Sequence, residues 1–389
     1  MERDIFDEEH HIFRESARAF FQQEVLPNRE KWHKAGIVDR DLFRKAGQQG
    51  FLLSWVDEKY GGLGIGKEDF RYELILIEEN AKYGDAGFYL SLHSRLVPPY
   101  IVELGTEEQK MKYLPKCASG DIVLAIAMTE PDAGSDVAGM RTRAVDMGDH
   151  YVINGSKTYI SNGINADLVI VAAKTNMDSS HGLSLFLVEA TTPGFSRGRN
   201  LEKMGQHAQD TAELFFDNMK VPKDALLGEL DQGFYYLMRF LGEERLITAS
   251  GSLANAQHSF DITMDFIKER KAFGQYIGDF QNTRFKMAEM RTELDMCQLF
   301  LDYCVKQLAE GKLTAALGAQ IKLMATELEW KVVDQCLQFH GGAGYMQEYE
   351  ICNRFLDARV GRIYAGSSEI MKEIIARAIG LDPRKKKSA

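Results

Sequence analysis

Two adjacent glutamates stand in an otherwise apolar run of the sequence, RFLGEERLITA, which begins at Arg239. A carboxylate becomes a useful base near neutral pH when apolar neighbours raise its proton affinity. Residues four positions apart are neighbours on a helix, so Arg239 lies beside Glu243, whereas Phe240 lies beside Glu244. The spacing predicts that Glu243 is an exposed, ion-paired residue and that Glu244 is the candidate base. A solvated helix face carrying both glutamates fits the helical phase equally well.

Motifs for several other chemistries do not occur in the sequence. The nine histidines include no HExxH pair, and no CxxC pair exists, so no metal site is predicted. The triplet GSK at Gly155 lacks the upstream glycine spacing of a phosphate-binding P-loop. No GxSxG serine elbow occurs either. Acid–base chemistry at Glu243 or Glu244 therefore remains as the candidate chemistry of the chain.

The composition of the chain limits which binding partners and which cellular compartment are expected. A net charge of −10 over 389 residues argues against nucleic acid as a partner, because a phosphate backbone needs a basic face. No apolar stretch is long enough for a membrane span, and the charged start MERDIFDEEHH predicts no signal peptide. Five scattered cysteines fit a reducing compartment, so we expect the cytoplasm, or the mitochondrial matrix after removal of a transit peptide. The basic run Lys385–Lys387 is expected to be a solvated tail.

The spacing of apolar residues divides the chain into three parts. Helical spacing continues to about residue 118, as in EDFRYELILIEENAKYG, and returns after about residue 231 in longer helices. Between them lie short β-like runs such as ADLVIVAAKT and GLSLFLVEA, and Asn154-Gly155 predicts a hairpin turn. The prediction is an α+β multidomain fold, with a helical domain at 1–120, a β-barrel or sandwich domain at 121–232 and a domain like a four-helix bundle at 233–389.

Four motifs follow one another along the chain: AMTEPDAGSDVAG from Ala127, RKAFGQ from Arg270, QFHGGAGY from Gln338 and IYAGSSEIMKEIIAR from Ile363. Together they resemble the acyl-CoA dehydrogenase family, over nearly the whole chain and in the same helix–strand–helix order. Within that family, the runs KMGQHAQDTAELFF and GFYYLM are most similar to the long-chain type. The resemblance implies FAD as cofactor, an acyl-CoA as substrate and a homotetramer.

The resemblance assigns a first group of residues to the flavin ring of FAD. Small residues there allow close approach of the main chain, and hydroxyls supply hydrogen-bond donors. Many family members have tryptophan where Tyr159 stands in this chain. The group consists of Ile126, Met128, Thr129, Gly134, Ser135, Tyr159, Ile160 and Ser161.

A second group is assigned by the resemblance to the dinucleotide of a neighbouring subunit. Arg270 suits a phosphate, because its planar guanidinium donates two parallel hydrogen bonds. Outside this group, Ser367 and Glu369 open the last helix, whose N-terminus suits an anion as well as an ordinary N-cap, and a contact to the flavin is implied for both residues. The other members of the group are Phe273, Gln281, Gln338, Phe339, Gly341 and Gly342.

The resemblance also identifies the substrate end of the site. In many family members the base is a loop glutamate at the position of Ala365, and alanine cannot take a proton. The long-chain and isovaleryl types instead carry a glutamate directly before an Arg-Leu pair, and Glu244 matches that pattern. Arg245 has two open roles, an ion pair within the helix or a contact to CoA. The substrate-binding residues implied are Ser135, Gly242, Arg245, Tyr364, Ala365 and Gly366.

The activity implied by the resemblance is FAD-dependent α,β-dehydrogenation of a medium- to long-chain fatty acyl-CoA to the trans-2-enoyl-CoA in β-oxidation. Glu244 takes the α-proton, and the backbone N–H of Ala365 remains able to donate to the thioester oxygen. Electrons are expected to pass to an electron-transfer flavoprotein. Two alternatives stay open: a branched-chain or short-chain dehydrogenase of the isovaleryl type, and a catalytically inactive acyl-CoA-binding member, which the loss of the loop glutamate motivates.

Overall fold

Helices, then strands, then helices again follow one another along the chain. The computed structural model describes residues 3–382, and the basic run Lys385–Lys387 lies outside them. Among the residues described, no helix is both long and apolar enough to cross a membrane. The predicted fold class is confirmed, with its helical, strand and helical parts in the expected order.

Six α-helices and two π-helical turns, Phe21–Val25 and Leu92–Leu96, form the N-terminal part. In a π-helical turn an N–H group bonds to the carbonyl five residues back, which changes the direction of the side chains that follow. The second turn places Arg95 inside the protein, with its side chain only 1% exposed. The helices are α1 (Glu8–Phe20), α2 (Arg29–Ala35), α3 (Asp41–Gln48), α4 (Arg71–Tyr83), α5 (Pro98–Leu104) and α6 (Glu107–Ala118).

Eight strands form one mixed sheet in the middle of the chain. They are β1 (Leu124–Ala127), β2 (Arg143–Asp146), β3 (His150–Ser161), β4 (Leu168–Lys174), β5 (Leu183–Glu189), β6 (Phe195–Asn200), β7 (Thr211–Pro222) and β8 (Leu226–Leu227). The strand order is β6-β7-β3-β2-β4-β5-β8, and β1 pairs with β4 in parallel.

The central strand β4 is buried on both faces. Leu168 and Ile170 pack into the core shared with the N-terminal helices, while Val169 and Val171 pack into a second core on the other face of the sheet. A strand that is covered on both faces has apolar residues at successive positions, and the sequence ADLVIVAAKT shows this pattern.

The predicted hairpin at Asn154-Gly155 is wrong, because β3 continues through both residues. The turn lies earlier, between β2 and β3, where Gly148 has a φ of +96°. At Asn154 the pairing of β3 with β7 shifts its register instead. Gly155 has a φ of +149°, and a Cβ at that position would lie 2.4 Å from Thr142 Oγ1. The glycine is therefore required by a bulge and a close contact, which a sequence pattern does not distinguish from a turn.

Long helices form the C-terminal part. They are α7 (Gly233–Glu269), α8 (Gln281–Ala309), α9 (Ala315–His340), α10 (Glu350–Ala358) and α11 (Ser368–Ala378), with a small hairpin of β9 (Lys271–Ala272) and β10 (Gln275–Tyr276) after α7. Helix α9 packs against each of the other four helices. Helix α7 has 37 residues, so it is about 55 Å long at 1.5 Å per residue. It connects the strand region at one end to the hairpin at the other.

The predicted domain limits at residues 120 and 232 remain predictions. Residue 120 falls between α6 and β1, and residue 232 immediately precedes α7. The three buried cores do not follow these limits strictly, since one core contains both N-terminal helices and strands β4 and β5. The helical and strand regions therefore share apolar surface.

Candidate active site

Glu244 lies on α7 about three turns after the helix begins. Its side chain is half-buried, and this burial raises the pKa of the carboxyl to about 7. Arg245 and Lys322 act in the opposite direction, because nearby cations favour the ionised carboxylate. Near neutral pH the carboxyl is therefore partly ionised and partly protonated. A catalytic base needs this balance, because it must release its proton after each turnover.

Glu243 is not the exposed residue that the helical spacing predicts. Its side chain is 12% exposed and pairs with Arg95, and Lys67 Nζ lies 3.8 Å from Glu243 Oε2. Arg239, the expected partner, is 62% exposed and pairs with Glu103 instead. The prediction is wrong because tertiary packing brings a buried cation to Glu243, and this partner outweighs a flexible, exposed arginine one turn back.

Lys322 connects helix α9 to the loop before α11. Its side chain is fully buried on α9, and Lys322 Nζ donates a hydrogen bond to Gly366 O at 2.8 Å. Burial lowers the pKa of the ammonium to about 8, an effect that Glu327 partly offsets. The ammonium therefore fixes the main chain next to Ala365 and places a positive charge near Glu244.

Arg245 is buried, with 6% of the residue exposed. Its Nε is buried without a hydrogen-bond partner, and within residues 3–382 it forms no ion pair at salt-bridge distance. Burial lowers the pKa of its guanidinium, and the adjacent Glu244 raises it. A buried polar atom without a partner is rare in proteins and points to a bound group. This observation favours the ligand contact over the ion pair within the helix.

The loop Tyr364–Gly366 has an unusual main chain. Ala365 has a φ of +53° and Gly366 a φ of +89°, in the left-handed region that residues other than glycine rarely adopt. Ser367 then caps α11 by accepting a hydrogen bond from Ile370 N at 3.4 Å. Strained main chain held by a buried lysine and a helix cap is typical of a site that positions a backbone donor.

A cavity begins one turn beyond Glu244 and follows α7 as far as Asn255, with about 850 Å³ of empty space when the solvent at its mouth is included. Apolar side chains of α4 and α7, including Leu76, Ile77 and Ile247, form part of its wall. Tyr364 also lines it, which joins the cavity to the loop of Ala365. The apolar part of the wall suits an acyl chain.

A buried ion pair organises the loop that follows β1. Lys157 Nζ donates to Glu130 Oε1 at 2.8 Å and to Met128 O at 3.0 Å, and both charged side chains are buried. The main chain adds a hydrogen bond from Thr158 N to Thr129 O at 2.9 Å. The loop of the first predicted flavin group is thereby held against the part of β3 that carries Tyr159.

Tyr159 lies at an irregularity in the pairing of β3 with β7. It has a φ of +59° and is 70% exposed, so the bulge turns a large aromatic side chain outward. Ile160 is buried in the core of the strand region, which leaves only its main chain for a ligand. Ser161, Ile126, Met128 and Thr129 are half-buried, whereas Gly134 and Ser135 are exposed.

The second predicted group lies far from the base within one chain. Arg270 follows the last residue of α7, 26 residues after Glu244, which corresponds to about 40 Å along the helix. Phe273 is 97% exposed, with a φ of +51° on the hairpin after α7. The remaining members are Gln281, Gln338, Gly341 and Gly342, which are exposed, and Phe339, which is half-buried. The structure therefore does not bring this group to the strand-side group in a single subunit.

Three family models match consecutive parts of the chain. They are the N-terminal domain of acyl-CoA dehydrogenase at residues 7–121, the middle domain at 125–219 and the C-terminal domain at 231–380. The chain belongs to the acyl-CoA dehydrogenase family. It is therefore an oxidoreductase, and the resemblance drawn from the four sequence motifs is confirmed.

Relatives in this family share the full length of the chain. The mitochondrial long-chain specific acyl-CoA dehydrogenase of Rattus norvegicus is 46% identical over 383 residues, which cover 98% of this chain and 88% of the relative. The mitochondrial isovaleryl-CoA dehydrogenase of Solanum tuberosum is 37% identical over 379 residues, covering 96% and 91%. The predicted similarity to the long-chain type is confirmed, with the isovaleryl type also similar.

Solved structures show the same fold. An acyl-CoA dehydrogenase from Geobacillus kaustophilus superposes with a TM-score of 0.95 at 48% identity, covering 98% of this chain and 100% of that chain. A glutaryl-CoA dehydrogenase from Mycobacterium smegmatis in complex with FADH2 superposes with a TM-score of 0.90 at 28% identity, covering 97% and 96%.

The acyl-CoA dehydrogenase family is FAD-dependent, and the strand-side residues of this chain fit a flat ring system. The outward ring of Tyr159 offers a stacking surface, and a Cβ added at Gly134 would meet no atom within 4 Å. Ser161 and Thr129 are half-buried and carry hydroxyl groups, which can donate and accept hydrogen bonds. The residues that would hold the ring are thus an exposed aromatic side chain, small residues and hydroxyls, as FAD requires.

Several charged residues of the site were missed by sequence reasoning. Arg95, Lys157, Lys322 and Glu329 are buried, and two of them, Arg95 and Lys322, stand in largely apolar runs, GFYLSLHSRLVPPYIVELG and AQIKLMA. Such residues are rarely buried unless they are paired. A charge within an apolar helical run was therefore the signal that could have identified Arg95 and Lys322.

Proposed function

We propose that this chain catalyses the α,β-dehydrogenation of a straight medium- to long-chain fatty acyl-CoA to the trans-2-enoyl-CoA, with Glu244 as the base. The observation that carries the proposal is a half-buried carboxyl with a pKa of about 7, one helical turn from a cavity whose wall is partly apolar. Carboxylates with such perturbed pKa values cluster at functional sites.

The residues of the chain divide the work of the reaction. Glu244 accepts the α-proton, while the main-chain N–H of Ala365 donates to the thioester oxygen and stabilises the charge that develops there. Lys322 holds this N–H in place through the carbonyl of Gly366. Bound FAD supplies the acceptor for the hydride that leaves the β-carbon. The buried surroundings exclude water and strengthen each of these electrostatic contacts.

Arg245 provides a contact for the CoA part of the substrate or for the thioester region. Its guanidinium is buried next to the base, and its Nε lacks a partner among the described residues. A guanidinium in this position supplies several donors at once, which suits phosphate and carbonyl oxygens. Gly242, one residue before the two glutamates, has open space where a Cβ would stand, so it leaves room for the same ligand.

The cavity favours a long acyl chain over a short one. It follows α7 from Ile247 to Asn255, which is about 12 Å along the helix. A branched five-carbon acyl group, as in the isovaleryl type, would occupy only the part next to Glu244. The inactive acyl-CoA-binding alternative is disfavoured, because Glu244 provides a carboxyl with a raised pKa one helical turn from the cavity.

The remaining parts of the proposal concern assembly and electron flow. Arg270 lies about 40 Å from Glu244 along α7, so we assign Arg270 and its group to the FAD of a neighbouring subunit in a homotetramer. Electrons then leave to an electron-transfer flavoprotein during β-oxidation in the cytoplasm or the mitochondrial matrix. Electron transfer is measured by the reduction of that flavoprotein after the enzyme has been treated with acyl-CoA. Assembly is measured by sedimentation of the holoenzyme.

The central test is a turnover profile across straight acyl-CoAs of increasing length with the FAD-loaded enzyme. We expect anaerobic bleaching of the flavin absorbance, strongest for medium and long chains and weak for isovaleryl-CoA. A protein that takes up FAD and binds acyl-CoA but bleaches with none of them would overturn the dehydrogenase proposal. A maximum at isovaleryl-CoA would support the branched-chain alternative instead.

A further inference from the structure

The end of the cavity remote from Glu244 is polar. Glu329 of α9, Asn255 of α7 and Arg354 of α10 all line it there, and each of the three residues is at least nine-tenths buried. An apolar acyl chain needs none of these groups, and burying polar groups is costly unless they are hydrogen-bonded. These polar groups therefore indicate that this end of the cavity does more than enclose the methylene groups of an acyl chain.

The three side chains form a continuous chain of hydrogen bonds. Arg354 Nη2 donates to Glu350 Oε1 at 2.6 Å, and Arg354 Nη1 donates to Asn255 Oδ1 at 3.1 Å. Asn255 Nδ2 then donates to Glu329 Oε1 at 2.6 Å. The amide of Asn255 can satisfy both neighbours in only one orientation, so the network fixes the position of the Glu329 carboxyl.

The second carboxyl oxygen of Glu329 faces the cavity wall. Glu329 Oε2 lies 3.2 Å from the position that a Cβ would take at Gly361, and Ser252 Oγ lies 3.3 Å from the same point. Both Gly361 and Ser252 line the cavity. The absence of a side chain at position 361 thus leaves the carboxyl and the hydroxyl close to any ligand that reaches this end.

Burial favours the protonated form of the Glu329 carboxyl, which can donate a hydrogen bond. Its burial raises the pKa to about 8, with Asp357 adding to the rise and Asn255, Ser252 and Arg354 opposing it. Because Oε1 accepts from Asn255, the acidic proton belongs on Oε2. A carboxylic acid kept neutral by burial donates strongly to an oxygen atom of a ligand.

We propose that Glu329, supported by Asn255 and Ser252, forms a subsite that selects acyl chains carrying an oxygen substituent, a hydroxyl or oxo group, at this depth of the cavity. The inference rests on the proposed function and names its substrate class. Ser252 and Asn255 stand 8 and 11 residues after Glu244, so the subsite lies about 12–16 Å from the base along α7. A site built to hydrogen-bond a substrate oxygen discriminates against the analogue that lacks it, since its own buried groups are then left unpaired.

The test compares kcat/KM of the FAD-loaded enzyme for acyl-CoAs of one length, either plain or with a hydroxyl group moved stepwise along the chain. We expect one or two neighbouring hydroxyl positions to be preferred over the plain chain by about fivefold, the size of one hydrogen bond. Glu329→Leu should remove this preference. Glu329→Gln should retain most of it, because the amide still donates and accepts.

Ile77→Leu is the matched control, since it alters the apolar wall of the same cavity without changing a hydrogen bond. This variant should change kcat/KM for the plain and the hydroxylated acyl-CoA by the same factor, so that the ratio of the two values stays the same. If Glu329→Leu does not fold, Ser252→Ala replaces it, and a reduced preference in that variant is expected.

The outcomes separate the two proposals. Turnover of plain chains without a preference at any hydroxyl position overturns the subsite and leaves the dehydrogenase function standing. A preference that survives in the Glu329→Leu and Ser252→Ala variants also overturns the subsite. Absence of turnover with every acyl-CoA overturns the proposed function itself.

Discussion

The carboxylate of Glu243 pairs with the guanidinium of Arg95, whose side chain is 1% exposed and lies 5.1 Å from the ring centroid of Trp55. Glu244, the next residue, has no such partner at salt-bridge distance in the described part of the chain. Two identical side chains one residue apart thus have separate roles. Glu243 attaches α7 to the N-terminal helices, and Glu244 is left free for chemistry.

The first prediction concerns the stability of this pair. Glu243→Gln leaves the buried guanidinium of Arg95 without its counter-charge, which costs about 3 kcal/mol of folding free energy. We expect the thermal unfolding midpoint of the holoenzyme to fall by several degrees, measured by circular dichroism. Arg239→Gln is the control, because Arg239 is 62% exposed and its pair with Glu103 contributes at most about 1 kcal/mol. Equal midpoints for the two variants would contradict the assignment.

The second prediction concerns the base. Glu244→Gln should keep the fold, FAD and acyl-CoA binding, because the amide has nearly the shape of the carboxyl. It should abolish flavin reduction by acyl-CoA, since an amide cannot accept the α-proton. The measurement is anaerobic flavin bleaching in a stopped-flow instrument. Bleaching at the wild-type rate would show that Glu244 is not the base.

A base restored from the loop gives the third prediction. Ala365→Glu in the Glu244→Gln background should recover part of the activity, because Lys322 holds this loop next to the α7 site. Recovery should be incomplete, since position 365 has a φ of +53° and its surroundings are packed around a methyl group. Ala365→Gln in the same background is the matched control and should recover nothing. Equal activity of the two double variants would refute a base at this position.

The fourth prediction is the pH dependence of flavin reduction. The raised pKa of Glu244 means that its carboxyl is protonated, and therefore inactive, below a pH of about 7. The rate should fall as the pH decreases through about 7, to about one-hundredth of its plateau at pH 5. Lys322→Met removes a cation that lowers the pKa of Glu244, so this variant should shift the fall to higher pH. Lys331→Met, which removes an exposed lysine on the same helix, should leave it in place.

The fifth prediction concerns the remote group of residues. Arg270→Ala removes the proposed phosphate contact, so FAD retention should weaken by about ten- to a hundredfold and the tetramer should dissociate more readily. The measurements are the ratio of FAD to protein after dialysis and the mass from light scattering. Lys271→Ala is the control, because Lys271 is the next exposed cation and lies over the ring of Tyr276. Wild-type values of both quantities for Arg270→Ala would refute the contact between subunits.

Sequence reasoning identified what depends on short-range spacing. The alternation of helices and strands follows from residues within a few positions of one another, as in the two-sided burial of β4. The apolar neighbours of Glu244 along the helix also indicated a carboxyl with a raised pKa, and burial is the cause of the rise in the structure. Local spacing failed at Asn154-Gly155, because a bulge and a turn require the same glycine.

The tertiary structure alone decided which charged and polar residues contact one another. Arg95 and Glu243 are 148 residues apart in the sequence, Lys322 and Gly366 are 44 apart, and Asn255 and Glu329 are 74 apart. No periodicity relates such positions, because their approach depends on how separate helices pack. The sequence by itself determined the family, the order of the elements and the candidate base. The packing of α4, α7, α9 and α10 determined the partner of Glu243, the anchor of the Ala365 loop and the polar end of the cavity, since buried charges are placed by the elements that surround them.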